Sequence, residues 1–377
     1  MDAHSDNPIH FEGVIPNASN TPRNQVGGLA VFEGVLMRSR TGFAIALRRE
    51  DGLISLRQVP YSSLTARAKP LGAPVIRGAT ALAEMMVIGT RALQFSSEEK
   101  DGKEEKPERL GVVIAGSIAM ILGLFVVLPD LLAGPILAVA GFTGSPEESP
   151  VAYSLMAGLL RLVLLVAYVA GISGHRDIHR VFQYHGAEHK AALALEQGRD
   201  VTVARARQHD TLHPRCGTTL MALIVLLSVP GFALVDWQLP LAYPRYLELP
   251  AIGSRLVQLV AHVIALPVVI GAAFELLKAC ALSRARWARV LLWPGYALQR
   301  LTTRQPDDLQ LEVAIVALFG ALAIPPWQRD VKSWVVRGLE DDDSAPGYIP
   351  RSPAKAAPPG TESAAAGKDT TTSREEP

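Results

Sequence analysis

Histidine is concentrated in one part of this 377-residue sequence. Six of the nine histidines lie in a single polar stretch between two long apolar segments, and one of only two cysteines, Cys216, lies at its end. Imidazole and thiolate are ligands that Zn²⁺ and similar transition metals prefer. The stretch therefore predicts a metal site, and its histidines are His175, His179, His185, His189, His209 and His213.

Two of these histidines, His185 and His189, are four residues apart and have Glu188 between them. On a helix such side chains share a face, with Cβ atoms about 5–6 Å apart, so that two imidazoles can bind one ion. The H-x-x-E-H pattern is that of the inverted zincins, in which the histidines bind zinc and the glutamate activates water. We therefore predict that His185 and His189 bind zinc, or another divalent transition metal, and that Glu188 is a general base.

A third protein ligand must come from farther along the chain. His213 and Cys216 are the best candidates by residue type, and a turn at residues 198–200 would bring them back to the first pair. The weaker candidates are His209, Asp210 and Glu196. The alternative to a metal site is a polar loop that faces lipid headgroups, because a motif of three fixed residues also occurs by chance.

Long apolar segments flank the histidine-rich stretch. About 20 apolar residues cross a hydrocarbon core of about 30 Å. The sequence predicts four such spans, at Leu110–Leu128, Val151–Ser173, Thr218–Val235 and Leu256–Leu277. Pro129-Asp130 is expected to end the first span. The apolar piece Leu131–Phe142 is too short to cross by itself and could be re-entrant.

Basic residues predict the orientation of these spans. Segment 174–217 carries seven lysines and arginines, whereas the loops 129–150 and 236–255 carry almost none. Because basic loops stay in the cytoplasm, we expect a multi-pass protein of the bacterial inner membrane with both termini cytoplasmic.

The expected fold class is a mostly α-helical polytopic membrane protein. It has about four transmembrane helices and a small N-terminal β-rich cytoplasmic portion. An amphipathic helix at 77–95 could lie on the membrane or pack on the sheet. The expected segments are a disordered tail (1–25), a β plus amphipathic-helix region (26–96), a charged linker (97–109), the transmembrane domain (110–280) with its His-rich loop (174–217), interfacial and packed helices (281–338) and a second disordered tail (339–377).

Several charged residues outside the loop are further candidates. Glu33 interrupts an apolar run and is either a solvent-facing strand position or a site residue. Glu84 and Arg77 belong to the polar face of the amphipathic helix. Glu275 lies within the fourth span, where an acidic residue is a functional candidate, and it is the expected partner of Lys278 or of the intramembrane His262.

Composition restricts the partners. The net charge of +1 says nothing about a nucleic-acid partner, but no basic run is interleaved with aromatic residues, so binding of RNA or DNA has no support. Membrane lipids are the expected partners, with membrane proteins or peptides as further candidates.

Five separated motifs resemble the YqhQ-like bacterial membrane family: GGLAVFEGVLMR, PVIRGATALAE, FQYHGAEHK, TLHPRCGTT and LQRLTTRQPDDLQLEVAI. The resemblance covers residues 26–322. That family is a domain of unknown function whose members are often labelled metal-dependent enzymes, which implies a metal and hydrolase-like chemistry. The residues carried over from its motifs are Glu33, Arg77, Glu84, His185, Glu188, His189, His213, Cys216 and Glu275.

Two functions from different classes fit this pattern. The first is a membrane-embedded, zinc-type hydrolase at the cytoplasmic face, acting on a membrane peptide or a lipid-linked ester. The second is a non-catalytic membrane scaffold or assembly factor with a structural metal. A structural site has four protein ligands and a catalytic site leaves one position for water, so the ligand count distinguishes them. A transporter using His262, Glu275 and Arg161 is a weaker alternative, because no inverted repeat is apparent.

Overall fold

The computed structural model describes residues 26–101, 107–142, 150–197, 201–283, 285–324, 328–336 and 348–350. The strands are β1 (Gly27–Val31), β2 (Gly34–Arg38), β3 (Gly42–Arg48), β4 (Ile54–Pro60), β5 (Lys332–Val336) and β6 (Tyr348–Pro350). The helices are α1 (Leu64–Arg67), α2 (Ile76–Asp101), α3 (Pro107–Leu122), α4 (Leu128–Val139), α5 (Pro150–Ser173), α6 (Arg176–Glu196), α7 (Val203–Arg207), α8 (Gly217–Ala242), α9 (Ala251–Leu282), α10 (Arg286–Thr302) and α11 (Asp308–Leu322).

Among the described residues, four helical segments are long and apolar enough to cross a membrane, which confirms the expected number of spans. They are Gly111–Val139, Ala152–Ser173, Gly217–Ala242 and Ile252–Leu282. Large apolar side chains on these helices point outward, as Ile264 and Val268 do on α9. The chain is therefore a polytopic, mostly helical membrane protein.

The first span differs from its prediction, because Pro129-Asp130 does not end it. A single π-helical turn, Gly123–Val127, joins α3 to α4, and the helix runs on to Val139. A proline inside a helix has no N–H for the carbonyl four residues earlier and its ring collides with that carbonyl, here that of Phe125. The wider turn displaces this carbonyl, which accepts a hydrogen bond from Arg161 Nε at 3.2 Å. Residues 131–139 thus continue the helix of the first candidate span.

The N-terminal strands form an antiparallel meander, which confirms the predicted β region. The sheet has six strands in the order β1-β2-β3-β4-β5-β6, so two C-terminal strands extend its β4 edge. β5 lies in the segment expected to be helical, and β6 in the segment expected to be a tail. Residues 1–25 and most of 339–377 lie outside the described residues.

Helices cover both faces of this sheet. The almost fully buried α11 packs with α6 on one face, where Val35, Ala44 and Leu56 point. On the other face, Ile88, Ala92 and Phe95 of α2 contact the sheet. The amphipathic helix thus packs on protein, and it also contacts α9 of the bundle. The sheet layer and the bundle meet at α6, where the candidate site lies.

Candidate metal centre

The H-x-x-E-H residues lie on α6, as their spacing predicts. The rings of His185 and His189 are 4.5 Å apart between centroids. Nδ1 of His185 is 2.9 Å from the carbonyl oxygen of Thr302, and Nδ1 of His189 is 2.5 Å from that of Thr211. A carbonyl only accepts, so both Nδ1 atoms carry the proton and donate it. Both Nε2 lone pairs are therefore left for a metal, an arrangement common around metal-bound imidazoles.

Cys216 completes a three-ligand group. It is the N-cap residue of α8, and its Sγ accepts a hydrogen bond from Thr218 N at 3.3 Å. The same sulfur is 3.3 Å from Nε2 of His185. One ligand atom from each of His185, His189 and Cys216 lies within 4.8 Å of the other two. Tetrahedral Zn²⁺ with bonds of about 2.0–2.3 Å would hold such atoms about 3.3–3.6 Å apart, so a small contraction suffices.

The residues present fit a transition metal on two grounds. The donor set of two imidazoles and one thiol is typical of zinc sites. In addition, Nε2 of the buried His189 has no hydrogen-bond partner among the described residues. An unpaired polar atom in a buried position is unfavourable unless a ligand satisfies it.

His213 lies beside this group but points away from it. Its ring centroid is 5.5 Å from that of His189. Nδ1 accepts a hydrogen bond from the backbone N–H of Arg215 at 3.3 Å, and Nε2 is 3.1 Å from Oε1 of Glu196, which also pairs with Arg215. Burial raises the pKa of Glu196, but the hydrogen bond from His213 and the nearby charges outweigh it and hold that pKa below its usual value. Of the two third-ligand candidates, the structure brings Cys216 to the pair.

Glu188 lies at the edge of the group. Its Oε2 is 3.4 Å from Nε2 of His189, and its side chain is almost fully buried. The carboxylate packs against Gly28 of β1, where an added Cβ would lie 2.6 Å from its Cγ. The sheet thus fixes the position of Glu188 beside His189.

Residues that sequence reasoning missed hold the loop in place. Gln299 donates to the carbonyl of His213 and accepts from its N–H, both at 2.9 Å, so α10 fixes the loop. Lys190 Nζ donates to the carbonyl oxygens of Arg207 and His209. Burial lowers the pKa of Lys190. Gln299, Thr302 and Lys190 lie within the family motifs FQYHGAEHK and LQRLTTRQPDDLQLEVAI. Their place in these motifs was the one sequence feature that could have identified them. The predicted turn at 198–200 lies outside the described residues.

The other sequence candidates form ion pairs away from the metal group. Glu33, at the β1–β2 turn with a φ of 52°, accepts two hydrogen bonds of 2.5 Å from Arg180. The buried Glu84 accepts from Arg38 at 2.9 Å and from Ser63. These pairs connect the sheet layer to neighbouring helices.

The expected pairing of Glu275 with His262 was wrong, whereas the expected Lys278 does contribute a charge near Glu275. Glu275 pairs with Arg77 of α2, because α2 packs along α9 and brings the guanidinium within 2.6 Å of Oε1. His262 contacts Asp130 and Asp236 of neighbouring spans. Sequence alone could not choose these partners, since helices distant in sequence supply them.

Comparisons with known proteins agree with this fold and its motifs. The family described as "Protein of unknown function (DUF1385)" matches residues 73–323, which include all three residues of the metal group. The uncharacterized protein YqhQ of Bacillus subtilis (strain 168) is 30% identical over 306 residues, which are 77% of this chain and 89% of that protein. No solved structure matches. The chain belongs to the DUF1385 family, as a YqhQ-like membrane protein.

Proposed function

We propose that this protein is a membrane-embedded, metal-dependent hydrolase of the zinc type. The observation that carries the proposal is the convergence of His185, His189 and Cys216, with one ligand atom of each within 4.8 Å of the others. Three protein ligands leave the fourth tetrahedral position open, and catalytic zinc sites have this property.

Each residue has a defined part in the proposed chemistry. When bound, zinc would acidify a water molecule and polarise the carbonyl group that the water attacks. Thr302 and Thr211 orient the imidazoles through their carbonyl groups. Glu188 is the general base: its carboxylate, 3.4 Å from Nε2 of His189, accepts the proton of the attacking water and returns it to the leaving group.

The surroundings of the site favour an amphiphilic substrate, such as a membrane peptide or a lipid-linked ester. The site lies where α8, a candidate span, begins. The helix that holds His185 through Thr302, α10, exposes Trp287 and Trp293 together with Arg286 and Arg289 toward its other end. Tryptophan and arginine at such a position are typical of a membrane–water interface. With the basic residues of segment 174–217, this supports a site at the cytoplasmic face of a bacterial inner membrane, with both termini cytoplasmic.

The alternative is a scaffold or assembly factor with a structural metal and with membrane proteins as partners. The observation that favours it is also Glu188, because an oxygen so close to Nε2 of His189 could become a fourth ligand. Four protein ligands would close the site to water. The two functions therefore assign opposite roles to one carboxylate.

Glu188→Gln distinguishes the two. If Glu188 is the base, the variant should keep its metal, and the hydrolysis of fluorogenic ester and peptide substrates in mixed micelles should fall about 10²–10⁴-fold. Zinc-edge X-ray absorption of the wild type should then show one sulfur, two imidazoles and one solvent oxygen. The matched control is Glu50→Gln, an exposed residue. Loss of metal from Glu188→Gln, with no metal-dependent hydrolysis by the wild type, would establish the scaffold instead.

A further inference from the structure

A second polar cluster lies inside the bundle, remote from the metal group. Asp236 follows Cys216 by 20 residues along α8, which corresponds to about 30 Å at 1.5 Å per residue. Three other spans contribute to the cluster. Its titratable and charged members are all buried, and they are Asp130 of α4, Arg161 of α5, Asp236 of α8 and His262 of α9.

His262 bridges two carboxylates. Its Nδ1 is 3.0 Å from Oδ2 of Asp130, and its Nε2 is 2.8 Å from Oδ1 of Asp236. A neutral imidazole has one N–H, so it can donate to only one carboxylate. Both contacts are hydrogen bonds only if the group holds a second proton, either on the ring or on one carboxylate. The proton then belongs to the set of three groups, as in other strongly coupled sites.

The charges of the four buried side chains also favour this proton. Arg161 Nη2 donates to Oδ1 of Asp130 at 2.7 Å, which offsets one of the two carboxylates. With a neutral histidine, these four side chains would carry one negative charge in excess, and the hydrogen bonds of the nearby Arg255 go to Tyr153 and Gln258 and not to either carboxylate. With the second proton the four side chains are neutral in sum, and isolated buried charge is avoided.

We propose that Asp130, His262 and Asp236 form a proton-binding site inside the membrane domain. Binding forms one N–H or O–H bond between an incoming proton and the three groups, and release breaks the same bond. The site neither needs the metal group nor contacts it. It is a further function of the bundle, independent of the proposed hydrolysis.

A groove gives the proton a route to the site. It has a volume of about 410 Å³, and Asp130 and Gln258 form part of its wall between α4 and the first turns of α9. Gln258 Nε2 in turn donates to Oδ1 of Asp236 at 2.9 Å. Asp130 is therefore reached directly from the groove, and Asp236 lies behind Gln258. Besides the four members, Arg255 and the hydroxyl of Tyr153 face the cluster.

A structural role alone does not account for the cluster. Ionisable residues within spans are costly, and apolar side chains could join the same helices without that cost. Two buried atoms, Oδ2 of Asp236 and Nη1 of Arg161, also have no hydrogen-bond partner among the described residues. A network that served only packing would be expected to satisfy such atoms. Of these two atoms, Oδ2 of Asp236 is a spare acceptor, as expected of a site that gains and loses a proton.

Solid-state NMR of the full-length protein in phosphatidylcholine bilayers tests this directly. With ¹³C,¹⁵N-labelled histidine and aspartate, one imidazole should show both nitrogens close to aspartate carboxyl carbons, which identifies it without a variant. At pH 7 this group should hold the second proton, which should exchange with bulk water and be released reversibly as the pH rises. A singly protonated group at pH 7, or a proton that never exchanges, would overturn the proposal.

Variants test the charge argument and the route. Asp236→Asn keeps the shape but removes one negative charge, so the fraction of doubly protonated group at pH 7 should fall. Leu131→Trp, in the groove wall, should slow proton exchange without changing the protonation state. The control Ile136→Trp, on the same helix but outside the groove wall, should leave the exchange rate unchanged. Equal proton exchange in the wild type, Leu131→Trp and Ile136→Trp would refute the groove as the route. An unchanged protonated fraction in Asp236→Asn would refute the site.

Discussion

Gly28 of β1 lies directly against Glu188, the proposed general base. A Cβ at this position would lie 2.6 Å from Cγ of Glu188 and 2.7 Å from the carbonyl oxygen of Leu36. Glu188 must therefore shift, and the paired strands must give as well, because the clash with the carbonyl involves backbone. Gly28→Ala should therefore displace the base and destabilise the fold by about 1–3 kcal/mol, the usual effect of overpacking.

The neighbouring residue provides the control for this substitution. An added Cβ at Gly27 meets nothing within 4 Å, so Gly27→Ala should leave the unfolding midpoint unchanged. Thermal unfolding in detergent, together with the zinc content, measures both effects. Gly28→Ala should keep its zinc, because Glu188 is not one of the three ligands. Identical unfolding of the two variants would contradict the contact between Gly28 and Glu188.

For the individual residues of the metal group, residue types alone gave only part of the ligand set. The spacing of His185 and His189 predicted their shared helical face, since helix geometry alone determines it. By residue type, His213 and Cys216 were equally good candidates for the third ligand. The path of the backbone decides which of the two faces the histidine pair. Cys216 caps α8 and faces His185, whereas both nitrogens of His213 contact other groups. Such a distinction needs the tertiary path of the loop, which no local pattern encodes.

Among the elements, α2 is held to the sheet layer by Glu84. Its buried carboxylate accepts hydrogen bonds from Arg38, Ser63 and the backbone N–H of Leu64. Burial raises the pKa of Glu84, but the bonds from Arg38, Leu64 and Ser63 together outweigh burial and lower it. A lowered folded-state pKa means that the carboxylate stabilises the protein above its unfolded pKa of about 4.3, and that this stabilisation disappears as the pH falls through the folded value.

Glu84→Gln should therefore reduce stability at pH 7 by about 1–3 kcal/mol, the range for hydrogen bonds to charged groups. The same variant should lose less additional stability than the wild type between pH 5 and pH 3. Denaturant unfolding at several pH values measures both quantities. The exposed Glu50→Gln serves as control and should follow the wild type. Parallel pH profiles for Glu84→Gln and wild type would contradict this role of Glu84.

The elements also show where sequence patterns stop being informative. Hydropathy located the spans because lipid-facing helices must be apolar over their whole length. It failed at Pro129-Asp130, because a π-helical turn accommodates the proline and Arg161 pairs with the aspartate. It also missed β5, a five-residue strand whose partner β4 lies far away in sequence. Both failures come from partners contributed by other parts of the chain.

For the whole molecule, the distribution of basic residues predicts one orientation. A reporter fused after Gly144 should be active on the periplasmic side, and one inserted at Arg199 should be active in the cytoplasm. The reason is that segment 174–217 carries seven basic residues and none lie between Pro129 and Pro150. Paired phosphatase and fluorescent-protein fusions at both positions measure this. The reverse pattern would place the metal group on the other side of the membrane.

The metal content of the purified full-length protein tests the central claim most directly. Mass spectrometry should find close to one zinc, or another divalent transition metal, per chain. His185→Ala, His189→Ala and Cys216→Ala should each lose most of it, because two ligands hold an ion far less tightly than three. His213→Ala and the exposed His179→Ala should keep it, since neither side chain belongs to the three-ligand group. A wild type without metal above background, or full occupancy in His185→Ala and His189→Ala, would contradict the account.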